Sequence, residues 1–304
     1  MSKLIEENYS IDFDSFKLER DGGNLAYSVI ADDKKYFLRT VRPAFFGTAI
    51  NAVDVQLFLQ NKGFPVSAIV FTKDGKSCVQ EKRKDGNYLH IMYEYIEGAE
   101  TEQGQDAEEI GALIGKLHSS MKDYNGLLSK RDKHFYIGRY LDFLHKKSYK
   151  KADRFEEYGD MLWERIKDLP HGYCHGDMYC GNIYKTPAGK LYILDFDTSC
   201  EEFPVYDLAL ICNMTDYFVY DDSKFEKTKT AFEKMLPEYQ KFNSISRAEI
   251  SSFYDMIALY HFTLQATIIE IHGINCIDNA FLDNQLDWLY RWQENCRNNM
   301  PFTP

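Results

Sequence analysis

The segment from residue 172 to residue 197 restricts the folds open to this chain more than any other part of its sequence. It begins with a short apolar run, Tyr173-Cys-His, and continues through a polar stretch that contains Asp177 and Asn182. A second apolar run begins at Leu191, after a turn, and ends at Asp195. Short apolar runs bounded by turn residues are typical of strands. The segment therefore predicts two short strands that flank a polar loop.

The polar residues of this segment are the ones that phosphoryl transfer from ATP requires. A carboxylate has to accept or orient the hydroxyl proton, and two oxygen ligands have to hold the magnesium ions that bridge the phosphates. Asp177 and Asn182 have the spacing of the Asp-x-x-x-x-Asn pair in kinase catalytic loops, and Asp195-Phe-Asp stands where a metal-binding Asp-Phe-Gly would stand. We interpret Asp177 as catalytic and Asn182 and Asp195 as metal ligands; an ordinary solvated turn is the alternative.

The rest of the chain predicts an α+β fold with two lobes. Its 304 residues exceed the usual size of one hydrophobic core. Period-2 apolar patterning and turn residues predict a β-rich lobe of residues 1–95 with an embedded helix over residues 48–61. From Asp106, which we expect to open a helix in a capping box with Glu109, the apolar spacing becomes helical. We predict that residues 96–304 form a hinge and a mainly helical lobe.

The catalytic segment resembles the aminoglycoside phosphotransferase and choline kinase superfamily. The motifs that carry the resemblance are, in order, His175-Gly-Asp177 with Asn182, Ile193-Leu-Asp195-Phe-Asp197, and Tyr206-Asp207-Leu-Ala. The resemblance implies a protein-kinase-like, two-lobed enzyme with ATP and Mg²⁺ as cofactors. It assigns the catalytic and metal-binding roles given above, and supporting roles to His175, Asp197 and Asp207. Gly63-Phe-Pro-Val and Thr72-Lys-Asp-Gly are similar to the spore-coat-associated members.

The resemblance also implies a nucleotide site in the N-terminal lobe. Arg39 stands where a phosphate-binding lysine usually stands, and Asp54 is the acid on the following helix that would pair with it. Gly22 and Gly23 would let backbone amides approach the phosphates. The adenine would lie against the hinge backbone of Glu94, Tyr95 and Ile96. A surface ion pair at the arginine and a plain hairpin turn at the glycines are the alternatives.

Charge and composition disfavour several classes of function. A net charge of −11 argues against sequence-independent binding to nucleic acid and is compatible with a cationic small-molecule acceptor. The apolar runs are short and broken by charge, so we expect no membrane span. Seven scattered cysteines fit reduced thiols in the cytoplasm. A zinc site near Cys174 and His175 is disfavoured, since adjacent strand residues point to opposite faces.

Three functional hypotheses follow. The first is an active kinase for a small alcohol such as an aminoglycoside, choline or ethanolamine, homoserine or a sugar. The second is a catalytically idle relative that acts as a nucleotide sensor or a structural component. The third, a kinase of protein serine or threonine, is disfavoured because the chain has no Ala-Pro-Glu motif. Trp288 and Trp292 could form an aromatic cage for an ammonium group, although their spacing favours helix core. The oligomeric state is left open.

Overall fold

The computed structural model describes residues 2–11, 13–21, 23–31 and 33–299, which fall into two compact units. The first unit contains the described residues up to Thr101, with Asp123–Leu128 and Cys180–Ser199. The second contains Glu102–Lys122, Ser129–Tyr179 and the described residues from Cys200 onward. The first is β-rich and the second mainly helical, which confirms the predicted α+β class. The lobe boundary near residue 95 stays a prediction.

The helices and strands are numbered in chain order. The helices are Ser2–Asn8 (α1), Phe46–Asn61 (α2), Gln103–Met121 (α3), Arg139–Lys146 (α4), Ala152–Ile166 (α5), Val205–Cys212 (α6), Asp222–Gln240 (α7), Arg247–His272 (α8) and Asn279–Asn299 (α9). The strands are Phe13–Asp21 (β1), Leu25–Ala31 (β2), Lys34–Val41 (β3), Val79–Arg83 (β4), Gly86–Glu94 (β5), Ala99–Glu100 (β6), Ser129–Lys130 (β7), Gly172–Cys174 (β8), Ile183–Lys185 (β9), Leu191–Ile193 (β10) and Cys200–Glu202 (β11). No helix of the described residues is both long enough and apolar enough to cross a membrane.

The first unit is built on an antiparallel sheet in the order β1-β2-β3-β5-β4. Both faces of its central strands are buried, because α2 covers one face and α1 the other. On β5, Ile91 and Tyr93 pack with Val53 of α2, whereas Met92 packs with Ile5 of α1. This alternation follows from the period of two in a strand. A smaller antiparallel sheet, β10-β9-β6, belongs to the same unit.

The second unit consists of helices around a three-stranded sheet in the order β7-β11-β8. Strand β11 runs antiparallel to β8 and parallel to β7. Helix α8 begins at a complete capping box formed by Ser246 and Glu249. Helix α9 buries Trp288 and Trp292, each only 1% exposed, so these side chains are helix core. Their indole N–H groups donate to backbone oxygens of Asp216 and Tyr254.

Two local predictions need correction. Helix α3 begins at Gln103, three residues before the predicted start. Asp106 does not open a capping box; its carboxylate accepts a hydrogen bond of 2.9 Å from the backbone N–H of Glu102. The sequence patterns also missed β1 and β4, where charged residues interrupt the apolar alternation. Pairing with neighbouring strands outweighs weak patterning in both cases.

Candidate functional site

The first unit contains a cavity of about 510 Å³ that brings most of the predicted nucleotide-binding residues together. The predicted residues that line it are Gly23, Arg39, Glu94, Tyr95, Ile96, Asn182 and Asp195. Gly22 lies outside the described residues. The volume is within the usual range for small-molecule sites, about 300–1,000 Å³.

Arg39 is held in this cavity by two carboxylates. On β3 it shares a face with Val41, which packs against α2. Its guanidinium donates two hydrogen bonds to the carboxylate of Asp197, one of them 2.9 Å long, and a longer one of 3.4 Å to Asp195. Burial by itself would lower the pKa of Arg39, but the two carboxylates raise it. The arginine is therefore a fixed cation.

Asp54 is not the partner of Arg39. It is exposed on α2, and the acids that the arginine bonds are Asp195 and Asp197. The α2 residues that line the cavity are Ala52 and Gln56, which are four positions apart and share a helix face. Asp54 lies two positions from each, about 200° around the helix, and points elsewhere. Gln56 was missed by sequence reasoning; its amide donates to the backbone oxygen of Ser67 over 2.5 Å.

Asp195 has a left-handed backbone conformation. Its φ of 60° is left-handed, which costs a non-glycine residue about 1 kcal/mol or more. The backbone N–H of Leu194 donates to the oxygen of Asn182 over 2.9 Å, which links the backbone segments that carry the two predicted ligands. The Asp195 side chain remains 51% exposed.

These donors fit magnesium. Mg²⁺ prefers oxygen ligands and takes one or two from the protein, with waters and phosphate oxygens completing its octahedron. The Asp195 carboxylate and the Asn182 amide oxygen are such ligands. None of the described cavity-lining residues is Cys or His, the side chains that zinc prefers. The metal-binding roles of these two residues remain a prediction.

The segment after β5 presents a partly used backbone edge to the cavity. The backbone N–H of Tyr95 donates to Lys35, and the oxygen of Glu94 accepts from the Ser67 hydroxyl over 2.7 Å. Among the described residues, the N–H of Ile96 has no hydrogen-bond partner. An adenine edge needs one donor and one acceptor of this kind, which this backbone supplies.

The loop that carries Asp177 belongs to the second unit and is anchored by Asp207. The buried Asp207 carboxylate accepts backbone hydrogen bonds from His175, 2.7 Å, and Gly176, 2.9 Å. It also bonds His118 over 3.0 Å, and the other ring nitrogen of His118 contacts the Tyr239 hydroxyl over 2.9 Å. Gly176 has a φ of 80°, which favours glycine at this turn.

The carboxylate of Asp207 is kept ionised by these contacts. Burial alone would raise its pKa, but the hydrogen bond and charge of His118, together with the Gly176 N–H, lower it. The predicted supporting role of Asp207 is thus confirmed as an anchor of the loop backbone. Sequence reasoning did not predict the contact between Asp207 and His118.

The charge of Asp177 acts on Tyr260, a member of an aromatic cluster in the second unit. Burial raises the pKa of Tyr260 to about 12, and the nearby charge of Asp177 adds to that effect. The ring of Tyr260 makes edge contacts with Tyr206 at 6.3 Å and with Tyr217 at 5.3 Å between centroids. The Asp177 carboxylate and the ring of Tyr260 both favour a cation in this region.

Comparisons with known proteins agree with this geometry. The family model described as "Phosphotransferase enzyme family" matches residues 17–240. Homoserine kinase of Rhodospirillum rubrum is 30% identical over 93 residues, which cover 31% of this chain and only 27% of that enzyme.

Two solved structures have a similar fold. An amicoumacin kinase in complex with AMP-PNP, Ca²⁺ and Ami gives a TM-score of 0.73 at 18% identity, and the match covers 100% of this chain and 95% of the kinase. A microcompartment-associated aminopropanol kinase gives a TM-score of 0.74 at 16% identity, and the match covers 97% of this chain and 94% of the kinase. The chain belongs to the phosphotransferase enzyme family.

Proposed function

We propose that this protein is an ATP- and Mg²⁺-dependent kinase that transfers the γ-phosphate to a hydroxyl of a small amino alcohol. The observation that carries the proposal is the cavity of the first unit. It gathers a fixed cation, Arg39, two oxygen ligands, Asn182 and Asp195, and the backbone edge of residues 94–96. Phosphoryl transfer depends on positioning and on charge stabilisation more than on covalent chemistry, so this inventory is sufficient for the donor.

Each residue has a distinct role in the proposed reaction. Arg39 would clamp phosphate oxygens with the N–H groups that it does not give to the two acids. Asn182 and Asp195 would hold Mg²⁺, which when bound neutralises charge on the phosphates. Asp177 would accept the acceptor's hydroxyl proton and orient the oxygen for in-line attack, a contribution of about 10²- to 10⁴-fold in rate.

The surroundings of Asp177 favour an acceptor that carries an ammonium group. The carboxylate and the ring of Tyr260 near it attract cations, and a net charge of −11 acts in the same direction. The names of the relatives, homoserine kinase and aminopropanol kinase, describe acceptors with one amine and one hydroxyl. Because the reaction consumes ATP, we propose that it takes place in the cytoplasm.

The first test is nucleotide binding. Titration calorimetry of the wild-type protein with ATP and Mg²⁺ should show one saturable site, and Asp195→Asn should lose the magnesium dependence of that binding. Asp54→Asn serves as the matched control, because its carboxylate is on a different face of α2 and should leave binding unchanged. A wild-type protein that binds no ATP in the presence of Mg²⁺ would refute the assignment.

The second test is turnover. ADP release should be measured over a panel of amino alcohols, aminoglycosides and neutral sugars, with Asp177→Asn as the negative control. We expect the amino-bearing alcohols to turn over and Asp177→Asn to bind ATP without turnover. ATP binding with no turnover of any acceptor would favour the idle nucleotide sensor instead. Turnover of neutral sugars alone would contradict the ammonium acceptor but not the kinase.

A further inference from the structure

The register of the large sheet in the first unit places a second arginine at the nucleotide cavity. On β1, Arg20 pairs with Ala26 of β2, and Ala26 pairs in turn with Arg39 of β3. Residues that are paired directly across neighbouring strands point to the same face of a sheet. All three residues line the cavity. The two arginines therefore flank one small side chain on the cavity face of the sheet.

A β-bulge brings Arg20 into this row. Leu18 pairs with Tyr27, whereas Arg20 pairs with Ala26. The step from one pair to the next takes two residues on β1 but only one on β2, so Glu19 is the extra residue. In a regular ladder Glu19 would pair with Ala26, and Arg20 would point to the opposite face. The bulge therefore adds a cation where this part of β1 would otherwise present an acid.

The acids beside Arg20 in the chain are bonded to other groups. The carboxylate of Glu19 accepts from Lys17 over 2.9 Å and from the Ser28 hydroxyl over 2.7 Å. The carboxylate of Asp21 accepts from the guanidinium of Arg42. Arg20 is exposed, and within the part of the chain that the structure describes its guanidinium has no hydrogen bond or ion pair. Its N–H groups are therefore available to a ligand.

The charge balance of the cavity favours phosphate binding by this second cation. Arg20 and Arg39 are the cations among the described residues that line the cavity. Arg39 already donates to the carboxylates of Asp195 and Asp197, so these three side chains together carry a net charge of −1. A nucleoside triphosphate remains anionic even with bound Mg²⁺. The uncompensated positive charge that would attract it comes from Arg20.

We propose that Arg20 is a second phosphate-binding residue, which holds the phosphate chain of the nucleotide together with Arg39. Neighbouring strands lie about 4.8 Å apart, so the backbones of the two arginines are about 10 Å apart, with only the methyl group of Ala26 between them. The forked N–H groups of Arg20 bind the oxygens of a tetrahedral phosphate from the side opposite Arg39. This inference deepens the proposed function and rests on it, since it takes ATP as the ligand of the cavity.

The test is calorimetric titration of the full chain with ATP and Mg²⁺, and it compares wild type, Arg20→Gln and Lys34→Gln. Lys34 is the matched control: it is an exposed cation at the other end of β3, it does not line the cavity, and its loss changes the net charge equally. We expect Arg20→Gln to bind ATP roughly tenfold more weakly than Lys34→Gln, because hydrogen bonds to a charged group are lost. Arg20 is exposed on an edge strand, so its replacement leaves the sheet folded.

Repetition of the titrations between about 50 and 500 mM NaCl separates a direct contact from a structural effect. An exposed cation that meets phosphate is screened by salt, so the affinity of Arg20→Gln should fall less steeply with salt than that of Lys34→Gln. The role of Arg20 is wrong if Arg20→Gln binds ATP as tightly as Lys34→Gln, or if both variants have the same salt dependence. In either case the kinase assignment stands, whereas a wild-type protein that binds no ATP overturns the assignment and this inference together.

Discussion

Replacement of Asp207 by asparagine tests how the catalytic loop is held. The buried carboxylate accepts from the backbone N–H groups of His175 and Gly176 and bonds the ring of His118. Asparagine has nearly the same shape but exchanges one acceptor oxygen for an NH₂ donor. In either orientation of the amide, its NH₂ group faces the backbone N–H of His175 or of Gly176, and two donors cannot form a hydrogen bond. The change therefore removes hydrogen bonds without creating a cavity.

The expected magnitude follows from that count. A buried donor without a partner costs about 1–3 kcal/mol, and more where the lost acceptor was charged. With one or two donors affected, we expect the free energy of unfolding to fall by about 2–5 kcal/mol. The loop that carries Asp177 would also shift, and a displacement of about 1 Å costs on the order of 10²-fold in kcat.

Urea unfolding and steady-state turnover measure the two effects, with Asp160→Asn as the control. Asp160 forms an exposed ion pair of 2.9 Å with Lys133, so its loss should cost less than about 1 kcal/mol. Because the pKa of Asp207 is lowered in the folded state, its contribution to stability is present at neutral pH and is lost as the pH falls through the folded pKa. In Asp207→Asn, the free energy of unfolding should therefore decrease less as the pH falls. A variant as stable and as active as the control would refute this account of the anchor.

Three other substitutions test separate parts of the structure. Burial raises the pKa of Glu202 to about 7, so the contribution of its protonated form to stability is present below the ordinary glutamate range and is lost as the pH rises through about 7. Glu202→Gln should remove up to about 3 kcal/mol of this loss. The prediction is contradicted if the stability of both proteins, measured by thermal denaturation, changes in the same way between about pH 5 and 9. Gly111→Ala should lower the free energy of unfolding in urea by about 1–3 kcal/mol, because the added Cβ would overlap the backbone of Met235. An unchanged urea midpoint would show that α3 and α7 can move apart at little cost. Arg39→Lys keeps the charge but loses the two-pronged contact with Asp197, so calorimetry should show roughly tenfold weaker ATP binding, and equal affinity would show that charge alone suffices.

The fold was largely predictable from the sequence where the apolar patterning was strong. The β2–β3 hairpin, the helix after it and the long strand β5 were all predicted, and the α+β class follows from them. Strand β1 was missed because lysine, glutamate and arginine occupy much of Phe13–Asp21. It is an edge strand, with one neighbour, so its exposed positions tolerate charge that a central strand would not.

The site was predictable where its residues are close in sequence. Asn182 and Asp195 belong to one short segment, and the structure places both in the wall of a single cavity with Arg39. The resemblance also implied a supporting role for Asp207.

The failed assignment of Asp54 has a physical explanation that bears on the proposed mechanism. Sequence reasoning sought an acid on the next helix, but the partner of Arg39 is Asp197, 158 residues further along the chain. A lysine at this position would offer one compact charge, whereas the guanidinium fork can bond both oxygens of one carboxylate and still reach a second. The same contact orders the turn that carries Asp195, since Asp197 lies two residues away. One ion pair therefore positions both the proposed clamp for the phosphates and the proposed metal ligand, so loss of either Arg39 or Asp197 should impair both proposed functions together.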